Sequence, residues 1–528
     1  MTRPRALGSL VAALESRDLL RQVVPGVDRQ GSHVGPAHVV IGRVDADSRE
    51  MGPGDCFVAL SGERFDGHDF VPQAIAAGAS AVVVERLLPS LPVPQLVVSA
   101  ARPALAVAAA WVSGDPSHEL GVVGVTGTDG KTTTCYLVRA VLEASGRPTG
   151  LLGTVDVVVG GRNLGNPGRT TTPEAPELQR HLAAMLAAGD RWAVVEASSH
   201  GLAQGRLAEV AFDLAILTNV TSEHLEFHRT VEAYRAAKRR LFEQLAVGPA
   251  DPEKGFGKHA LVNLDDPQAE AFLAAAREAG AACLTYGTAE AADVRLLAIE
   301  EGVRGLGLGY HTPRGEGRIQ LQLAGRHNAH NALAAVAVGE ALGLEPESVA
   351  AGLGGLVRVP GRMERVEAGQ PFVAVVDYAH TAEALAQVLD ELAPLAAAGG
   401  GGLIAVFGSG GERDRVKRPS MGRVAAERCR LTVLTDEDPR GEPSGAILEA
   451  IAEGARAAGA REGQDLWLIP DRWAAVVAAV EAARPGDVVL FAGKGHEKTI
   501  EGPDGARPWD EAAAVREALT ASGWGDPA

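Results

Sequence analysis

Residues that can hold a phosphate group are concentrated in the segment TGTDGKTTT, which begins at Thr126. Gly127 and Gly130 allow backbone N–H groups to converge on an anion, and the helix predicted to follow adds its N-terminal dipole. Lys131 provides a positive charge for the β- and γ-phosphates of a nucleotide. The strict phosphate-loop pattern has a glycine where this chain has Val125, so the spacing predicts a variant of that loop.

Residues that could bind Mg²⁺ accompany this loop. The Thr132 hydroxyl can reach a nucleotide-bound Mg²⁺. Glu196 ends a predicted strand, and a carboxylate there suits a metal that prefers oxygen ligands and phosphates. Taken alone, Glu196 fits a helix cap or a hydrogen-bonding role equally well. His200 or His224 alone would more often be a structural or surface residue than a functional one.

The elements that must position these residues alternate between apolar, β-rich runs and helical patterns, which predicts an α/β fold with largely parallel sheets. The 528 residues suffice for several domains, and we place three, over residues 1–115, 116–356 and 357–528. Strands are predicted at His38–Val44, Cys56–Leu60, Ser80–Val84, Gln95–Val98, Gly121–Thr126, Trp192–Glu196, Phe212–Asn219, Phe372–Val376, Leu403–Phe407, Leu431–Thr435, Leu466–Ile469 and Val488–Ala492.

The composition narrows the class of protein. Apolar residues make up 46% and charged residues 22%, which is typical of globular domains. The net charge of −17 disfavours a general nucleic-acid or membrane-surface binder. The longest apolar run, Ala104–Val112, is too short to span a bilayer, and no signal peptide is predicted. The cysteines lack metal or disulfide spacing, so we expect free thiols in a reducing cytoplasm; they are Cys56, Cys135, Cys283 and Cys429.

An ordered set of motifs resembles the ATP-dependent Mur ligases, which build the peptide of peptidoglycan. The set is spread over all three predicted domains, which makes the resemblance specific. It consists of DSR at Asp47–Arg49, TGTDGKTTT at Thr126–Thr134, TTPE at Thr171–Glu174, EASSHGLAQGR at Glu196–Arg206, TNVTSEHLEFHRTVEAYRAAKRRLF at Thr218–Phe242, HNAHN at His327–Asn331, GRMERV at Gly361–Val366, VDYAHT at Val376–Thr381, FGSGGERDRVKRP at Phe407–Pro419, EDPR at Glu437–Arg440 and GKGHE at Gly493–Glu497.

The resemblance implies an N-terminal UDP-binding domain, a central P-loop ATPase-type domain and a C-terminal Rossmann-like domain. It also implies an ADP-forming ligase that adds a diamino acid to UDP-N-acetylmuramoyl-L-alanyl-D-glutamate through an acyl phosphate, in cell-wall synthesis. Asp129 departs from the asparagine usual in the family. The implied ATP-binding residues are Gly127, Thr128, Asp129, Gly130, Lys131, Thr132, Thr133, Asn328 and Asn331, with Arg362 and Asp377 after domain closure.

By the same resemblance, another group of residues holds the muramoyl dipeptide. Arg206 can bind a substrate carboxylate through two charge-assisted hydrogen bonds. The UDP portion is expected at Ser48 and the segment Glu63–Phe65, where the family usually has other residue types. The remaining implied contacts are Thr171, Thr172, Ser198 and Gln204.

Lys238 lies in YRAAKRRLF, where Tyr234, Lys238 and Phe242 fall on one helix face. A lone lysine in such a pattern is normally solvated. The resemblance implies instead that CO₂ carbamylates Lys238 to N6-carboxylysine, an anionic ligand that helps Glu196 and His224 hold Mg²⁺, with Thr132 as a further ligand. Carbamylation requires a neutral amine, so the site must lower a pKa that is ordinarily about 10.4. The implied catalytic residues are Lys131, Arg206, His224 and Lys238.

The resemblance places the incoming diamino acid in the last domain. The common motif for meso-diaminopimelate is Asp-Asn-Pro-Arg, and this chain has EDPR. Arg413 and Arg440 could bind the distal carboxylate of diaminopimelate, whereas the charge of Asp438 would favour the bare distal ammonium of L-lysine or L-ornithine. The sequence leaves both open. The implied pocket residues are Arg413, Glu437, Asp438, Pro439, Arg440, Gly493 and Glu497.

Two other functions compete with this one. A folylpolyglutamate synthase-like ligase also joins an amine to a γ-carboxylate, but the Asp47–Arg49 segment and the diamino acid motifs argue against it. A nucleotide-dependent switch without turnover would not need Lys131, Glu196, Arg206 and Lys238 together. We expect Mg²⁺, ATP as co-substrate and CO₂ as the lysine carbamate. The expected partners are small molecules, without nucleic acid or membrane, and the expected state is a monomer.

Overall fold

The computed structural model describes residues 4–27, 30–62, 65–166, 170–221, 223–248, 254, 256–302 and 305–525. The chain divides into two compact units. The first comprises residues 1–299, 308–319 and 329–355, and the second comprises 300–307, 320–328 and 356–528. The predicted α/β class is confirmed, and the boundaries of the three predicted domains remain predictions. Among the described residues, no helix combines the length and apolar character needed to cross a membrane.

The first part of the first unit is built around a five-stranded sheet in the order β2-β9-β8-β7-β6. Neighbouring strands from β6 to β9 are parallel, and β2 is antiparallel to β9. The elements are β1 (Arg5–Ala6), α1 (Leu7–Glu15), β2 (Leu20–Val24), β3 (Gly26–Val27), β4 (His33–Val34), β5 (Val40–Ile41), β6 (Arg43–Asp45), β7 (Asp55–Val58), α2 (Val71–Ala77), β8 (Ala81–Val84), β9 (Gln95–Val98) and α3 (Ala101–Ser113).

A larger sheet follows, in the order β13-β12-β11-β14-β10-β15-β16-β17-β18-β19-β20. Its elements are β10 (Gly121–Thr126), α4 (Lys131–Ala144), β11 (Thr149–Leu152), β12 (Val157–Val159), β13 (Arg162–Asn163), α5 (Ala175–Ala188), β14 (Trp192–Glu196), α6 (Ser199–Ala203), β15 (Leu214–Leu217), α7 (Leu225–His228), α8 (Val231–Glu243), β16 (His259–Asn263), α9 (Ala269–Glu278), β17 (Ala282–Gly287), β18 (Val294–Gly302), β19 (Gly305–Thr312), β20 (Gly315–Leu321), α10 (His327–Ala341) and α11 (Pro346–Gly355).

The strands at the centre of this sheet are apolar throughout because they are buried on both faces. Every residue of β10, β14 and β15 is buried, as expected for parallel strands covered by helices. Both neighbours of β10 run parallel to it, so the carboxyl ends of the three strands lie at one edge. The strands predicted here are confirmed, and that edge is where the glycine-rich loop begins.

The second unit repeats this architecture with a sheet in the order β21-β22-β26-β23-β24-β25. Strands β22 to β26 are parallel, and β21 is antiparallel to β22. The five strands predicted here are confirmed. The elements are β21 (Glu364–Val366), β22 (Val373–Val376), α12 (Ala382–Gly399), β23 (Leu403–Phe407), α13 (Lys417–Arg428), β24 (Leu431–Leu434), α14 (Ser444–Ala457), β25 (Leu466–Leu468), α15 (Arg472–Ala482), β26 (Val488–Phe491), β27 (Thr499–Gly502), β28 (Gly505–Pro508) and α16 (Glu511–Ala521).

A buried ion pair fixes the carboxyl ends of these strands. Arg472 and Glu511 are both fully buried, and two guanidinium nitrogens donate to the two Glu511 oxygens at 2.8 Å each. The same guanidinium donates to the carbonyls of Asp436 and Ala492, which follow β24 and β26. The pair therefore joins α15 and α16 to the edge of the sheet where the loops after these strands begin.

We predict that Arg472→Ala lowers the free energy of unfolding by about 3–5 kcal/mol, because it leaves the Glu511 carboxylate buried without its partner. Urea denaturation of the wild type and the variant measures this loss. The matched control is Arg456→Ala, which removes an exposed guanidinium paired with Glu449, and little change is expected from it. Equal losses in the two variants would contradict this account of Arg472.

Candidate active site

The glycine-rich loop after β10 is tied to the chain that follows β15. Thr128 N donates to Asn219 O at 2.7 Å, and Asp129 N donates to Asn219 Oδ1 at 2.9 Å. The Thr218 hydroxyl donates to Asp129 O at 2.6 Å. These bonds hold the loop in place without using the N–H groups at the start of α4. Sequence reasoning did not identify Asn219 as a site residue, although its place just after a buried strand could have indicated one.

Two glycines are required in this loop by the space around them. A Cβ on Gly127 would come within 1.8 Å of Thr218 Oγ1. Gly130 caps α4 with a φ of +81°, and a Cβ there would come within 2.3 Å of Asn331 Oδ1. The first N–H groups of a helix have no intrahelical partner. The helix start predicted to bind an anion therefore directly follows this glycine turn, and anion binding there remains a prediction.

Lys131, the first residue of α4, folds back over this loop. Its Nζ donates to Gly127 O at 3.0 Å and to Thr128 O at 2.7 Å. The positive charge is thus held against the loop, beside the N–H groups that an anion would meet.

Thr132 and Glu196, the two predicted oxygen ligands of Mg²⁺, are in direct contact. The Thr132 hydroxyl donates to Glu196 Oε1 at 3.0 Å, and Thr154 N donates to Oε2 at 2.9 Å. Glu196 is only 1% exposed. A hydroxyl and a carboxylate beside a phosphate loop are the donor set that Mg²⁺ favours, so the residues fit this metal.

Lys238 is 1% exposed, which shows that the solvated alternative was wrong. Its Nζ donates to Gly127 O and lies 4.5 Å from the centroid of the Tyr234 ring. The Tyr234 hydroxyl is 3.0 Å from Thr128 Oγ1, so α8 contacts the loop through both side chains. Burial, followed by the positive charge of Lys131, holds the pKa of Lys238 well below its usual range. A lowered pKa is the condition that carbamylation of Lys238 requires.

His224 lies beside this group in a cluster of rings. It has a φ of +56°, and its ring centroid is 4.8 Å from that of His200 and 6.5 Å from that of Tyr234. Burial, with the charges of His224 and His228, lowers the pKa of His200 to about 4, so His200 is neutral near pH 7. Ligand atoms of His200, His224 and Glu226 lie within 4.8 Å of one another, a grouping that sequence reasoning missed.

The residues assigned to the muramoyl dipeptide surround Thr172 next to this region. The Thr172 hydroxyl donates to Glu196 O at 2.7 Å and accepts from Ser198 N at 3.0 Å. Arg206 donates to Thr172 O at 2.7 Å and forms an ion pair with Glu174 at 3.0 Å. Thr172, Ser198 and Arg206 are thus brought together at the end of β14.

Two further members of that predicted set lie nearby. The Thr171 hydroxyl accepts from Thr154 Oγ1 at 2.9 Å, and Gln204 Oε1 is buried without a partner among the described residues. Ser48 lies instead against Gln73 in the N-terminal sheet region, at 3.3 Å. In the predicted UDP segment, Glu63 and Arg64 lie outside the described residues, and Phe65 is exposed. The contacts with UDP remain predictions.

The residues assigned to the nucleotide after the loop fall in both units. Asn331 Oδ1 accepts from the Thr134 hydroxyl at 3.2 Å, which places it beside Gly130 in the first unit. In the second unit, Asn328 donates to Ala324 O at 2.6 Å, and Asp377 Oδ2 accepts from Met363 N at 2.8 Å. Arg362 lies over the Tyr378 ring, with its guanidinium carbon 4.9 Å from the centroid. Their roles toward ATP remain predictions.

The predicted diamino acid residues lie on the loops after β23, β24 and β26 of the second unit. Asp438 Oδ1 accepts from Lys494 Nζ and from Glu501 N, each at 2.8 Å. Lys494 is fully buried and also contacts Glu497. The charge of Asp438 is therefore neutralised by a buried lysine within the GKGHE motif, whose role sequence reasoning missed.

The neighbouring arginines differ in their surroundings. Arg440 Nε donates to Glu501 Oε2 at 2.9 Å, and its Nη1 donates to Gly411 O at 2.8 Å. Arg413 is exposed. Pro439 O accepts from Glu442 N at 3.0 Å within the same turn. Gly493 has a φ of +97°, and a Cβ there would come within 2.8 Å of Glu437 Oε2.

A parallel sheet with a lysine-bearing glycine loop at a helix N-terminus defines a nucleotide-binding α/β protein of the P-loop type. Residues 40–110 match the catalytic domain of the Mur ligase family, 125–339 the Mur ligase middle domain and 361–495 the Mur ligase glutamate ligase domain. The chain belongs to the Mur ligase family.

Individual relatives agree along most of the chain. The UDP-N-acetylmuramyl-tripeptide synthetase of Roseiflexus sp. (strain RS-1) is 48% identical, covering 94% of this chain and 97% of that protein. The UDP-N-acetylmuramoyl-L-alanyl-D-glutamate–2,6-diaminopimelate ligase of Geobacter metallireducens is 41% identical, covering 85% and 88%. A solved structure of a ligase with the latter name has a TM-score of 0.63 at 30% identity, covering 92% and 96%.

We predict that Gly130→Ala weakens nucleotide binding at least about ten-fold, because its Cβ would displace Asn331 and distort the start of α4. Isothermal titration with ATP measures the change. Gly146→Ala is the matched control: Gly146 also has a positive φ, +71°, but no atom lies within 4 Å of its Cβ position. It should cost about 1 kcal/mol of stability and leave ATP affinity unchanged. Unaltered ATP binding in Gly130→Ala would contradict the proposed role of this turn.

Proposed function

We propose that this chain is an ADP-forming amide ligase that joins a diamino acid to UDP-N-acetylmuramoyl-L-alanyl-D-glutamate in peptidoglycan synthesis. The observation that carries the proposal is the grouping of Lys131, Lys238 and the Thr132–Glu196 pair around one glycine-rich loop. The names and high coverage of the relatives support the substrate. They also favour it over a folylpolyglutamate synthase-like activity.

The first chemical step is phosphorylation of the D-Glu γ-carboxylate by ATP. A carboxylate resists attack because its charge repels an amine and oxide is a poor leaving group, and an acyl phosphate removes both obstacles. Phosphoryl transfer depends mainly on positioning and charge neutralisation. Lys131 and the N–H groups at the start of α4 provide both. Thr132 and Glu196 would hold Mg²⁺, which when bound neutralises phosphate charge.

Lys238 is suited to carbamylation by CO₂. Burial holds the pKa of its amine well below the usual range, so the neutral nitrogen can attack CO₂ with its lone pair and release a proton. The product is an anion, and it would lie beside the Lys131 ammonium that disfavours a second cation there. The Lys238 carbamate would then provide oxygen ligands for Mg²⁺, together with the carboxylate of Glu196 and a ring nitrogen of His224.

Arg206 is placed to orient the substrate. It donates to the backbone carbonyl of Thr172, whose hydroxyl contacts Ser198 N and the backbone carbonyl of Glu196 at the end of β14. A guanidinium there can hold a carboxylate in a fixed direction by two parallel bonds. The amine of the diamino acid then attacks the acyl phosphate, a tetrahedral intermediate forms, and inorganic phosphate leaves.

The test supplies the full-length protein with ATP, Mg²⁺ and UDP-N-acetylmuramoyl-L-Ala-D-Glu. Meso-diaminopimelate, L-lysine and L-ornithine are offered singly, and phosphate release and product mass are measured. A product heavier by one diamino acid residue is expected with at least one of them. Absence of product with all three would overturn the proposal. A parallel reaction with a folate and L-glutamate should give nothing.

We predict that Lys238→Ala lowers turnover at least about 100-fold, because it removes a charged group at the reacting centre. Formate or acetate should restore part of the activity by replacing the lost carboxylate, which a purely structural defect would not allow. Arg239→Ala is the matched control, since Arg239 lies on the same helix in an exposed pair with Glu243. Wild-type turnover in Lys238→Ala would show that no carbamate is needed.

The lowered pKa of Lys238 also predicts a pH dependence of stability. At pH values below the ordinary lysine pKa of 10.5, the unfolded chain binds a proton at Lys238 more readily than the folded chain does. This lysine therefore destabilises the fold increasingly as the pH falls. In CO₂-free buffer, Lys238→Met should therefore gain more stability over the wild type at pH 7 than at pH 10. Urea denaturation at both pH values measures the difference. The matched control is Lys498→Met, which makes the same substitution at an exposed lysine. An equal gain from Lys238→Met at both pH values would contradict the assignment.

A further inference from the structure

One carboxylate in the diamino acid pocket lacks a hydrogen-bond donor. Glu437 Oε2 is buried and has no partner among the described residues. It packs closely against Gly493, where a Cβ would come within 2.8 Å of this oxygen. The cation of Lys417 attracts Glu437 from a distance, but Lys417 Nζ donates to His380 O at 2.6 Å. A buried acceptor without a donor is unfavourable unless a ligand provides one.

Two cations of the pocket, Lys494 and Arg440, already have carboxylate partners. Lys494 is held by Asp438 at 2.8 Å and also contacts Glu497. Arg440 is held by Glu501 at 2.9 Å, with an oxygen of Asp438 at 3.7 Å. Neither cation can therefore take a further carboxylate without sharing it with, or displacing, an acidic side chain.

Arg413 differs from these two cations. It is exposed and forms no ion pair within the described part of the chain. A Cβ placed on Gly410 would lie 3.4 Å from Arg413 Cγ, 3.3 Å from Arg440 Nη1 and 3.9 Å from Glu437 Oε1. The loop after β23 thus brings the side chain of Arg413, through its Cγ, into the same region as the Glu437 carboxylate.

This charge pattern distinguishes the three candidate amino acids. L-Lysine and L-ornithine carry one carboxylate, which Arg413 can meet, and one distal ammonium, which Glu437 can meet. Meso-diaminopimelate carries a second carboxylate at the distal end. That group would have to share Arg440 with Glu501, which places two like charges on one guanidinium.

We propose that this pocket selects a diamino acid with a bare distal ammonium, of the lysine or ornithine class, and that Glu437 and Glu501 determine the choice. The inference rests on the proposed ligase function. Glu501 acts through Arg440 by neutralising the guanidinium that would otherwise receive a distal carboxylate. Glu437 provides the acceptor for the distal ammonium. Glu501 lies on β27, outside the motifs by which the pocket is recognised.

The first test needs no variant. The full-length enzyme is assayed with ATP, Mg²⁺ and UDP-N-acetylmuramoyl-L-Ala-D-Glu, and kcat/KM is measured for L-lysine, L-ornithine and meso-diaminopimelate. The better of the first two should exceed diaminopimelate at least about ten-fold, since a site with mismatched polar groups discriminates strongly. A preference for diaminopimelate would overturn this inference and leave the ligase function intact. Absence of product with all three amino acids would overturn both this inference and the proposed ligase function.

The second test changes the two glutamates. Glu501→Gln should raise the use of diaminopimelate relative to lysine and ornithine at least about ten-fold, through KM for the amino acid and with KM for ATP unchanged. Glu437→Gln should raise KM for lysine and ornithine without improving diaminopimelate. Glu449→Gln is the matched control, because Glu449 lies in the same unit in an exposed pair with Arg456. An unchanged selectivity in Glu501→Gln, with folding verified by thermal unfolding, would contradict the role of Glu501.

Discussion

Two lysine amines share one backbone oxygen in the first unit of this protein. Lys131 and Lys238 both donate to the carbonyl of Gly127, one from the start of α4 and the other from α8. Lys238 has almost no contact with water, so its charge cannot be screened by solvent. Two ammonium groups in this position oppose each other, and the buried one gives up its proton more readily. An anion formed on the Lys238 nitrogen would attract the Lys131 ammonium, whereas a protonated Lys238 repels it. This charge interaction links the phosphate loop to α8.

Sheet topology decides which other side chains can meet there. Because β14 and β15 flank β10 and run parallel to it, the glycine loop, Glu196 and Asn219 emerge at the same edge. The second unit uses the same principle, since the loops after β23, β24 and β26 supply its charged pocket. In both units the strands are buried and apolar, while many of the candidate site residues lie on the loops that follow their carboxyl ends.

The parts of this structure that could be predicted from sequence are those controlled by local pattern. Buried parallel strands are continuous apolar runs, and the glycine loop has a recognisable spacing, so both were predicted. The burial of Lys238 depends on a carbonyl 111 residues away, and the spacing of Tyr234, Lys238 and Phe242 indicates only a shared helix face. The pairing of Arg440 with Glu501 joins residues 61 positions apart and follows no motif, so no local pattern could have revealed it.

The effect of a charged substitution on a binding pocket depends on which side chain pairs with the new charge, and not only on the sign of that charge. Asp438 stands where the family usually has a neutral asparagine, and from sequence alone it adds a negative charge to the pocket. In the structure Asp438 is paired with the fully buried Lys494, which also contacts Glu497, so Asp438 already has a cationic partner. The unmatched acceptor is Glu437, one residue earlier, because the cations around it are engaged elsewhere. Selectivity in such a pocket therefore depends on which charge remains unpaired after every internal contact has formed.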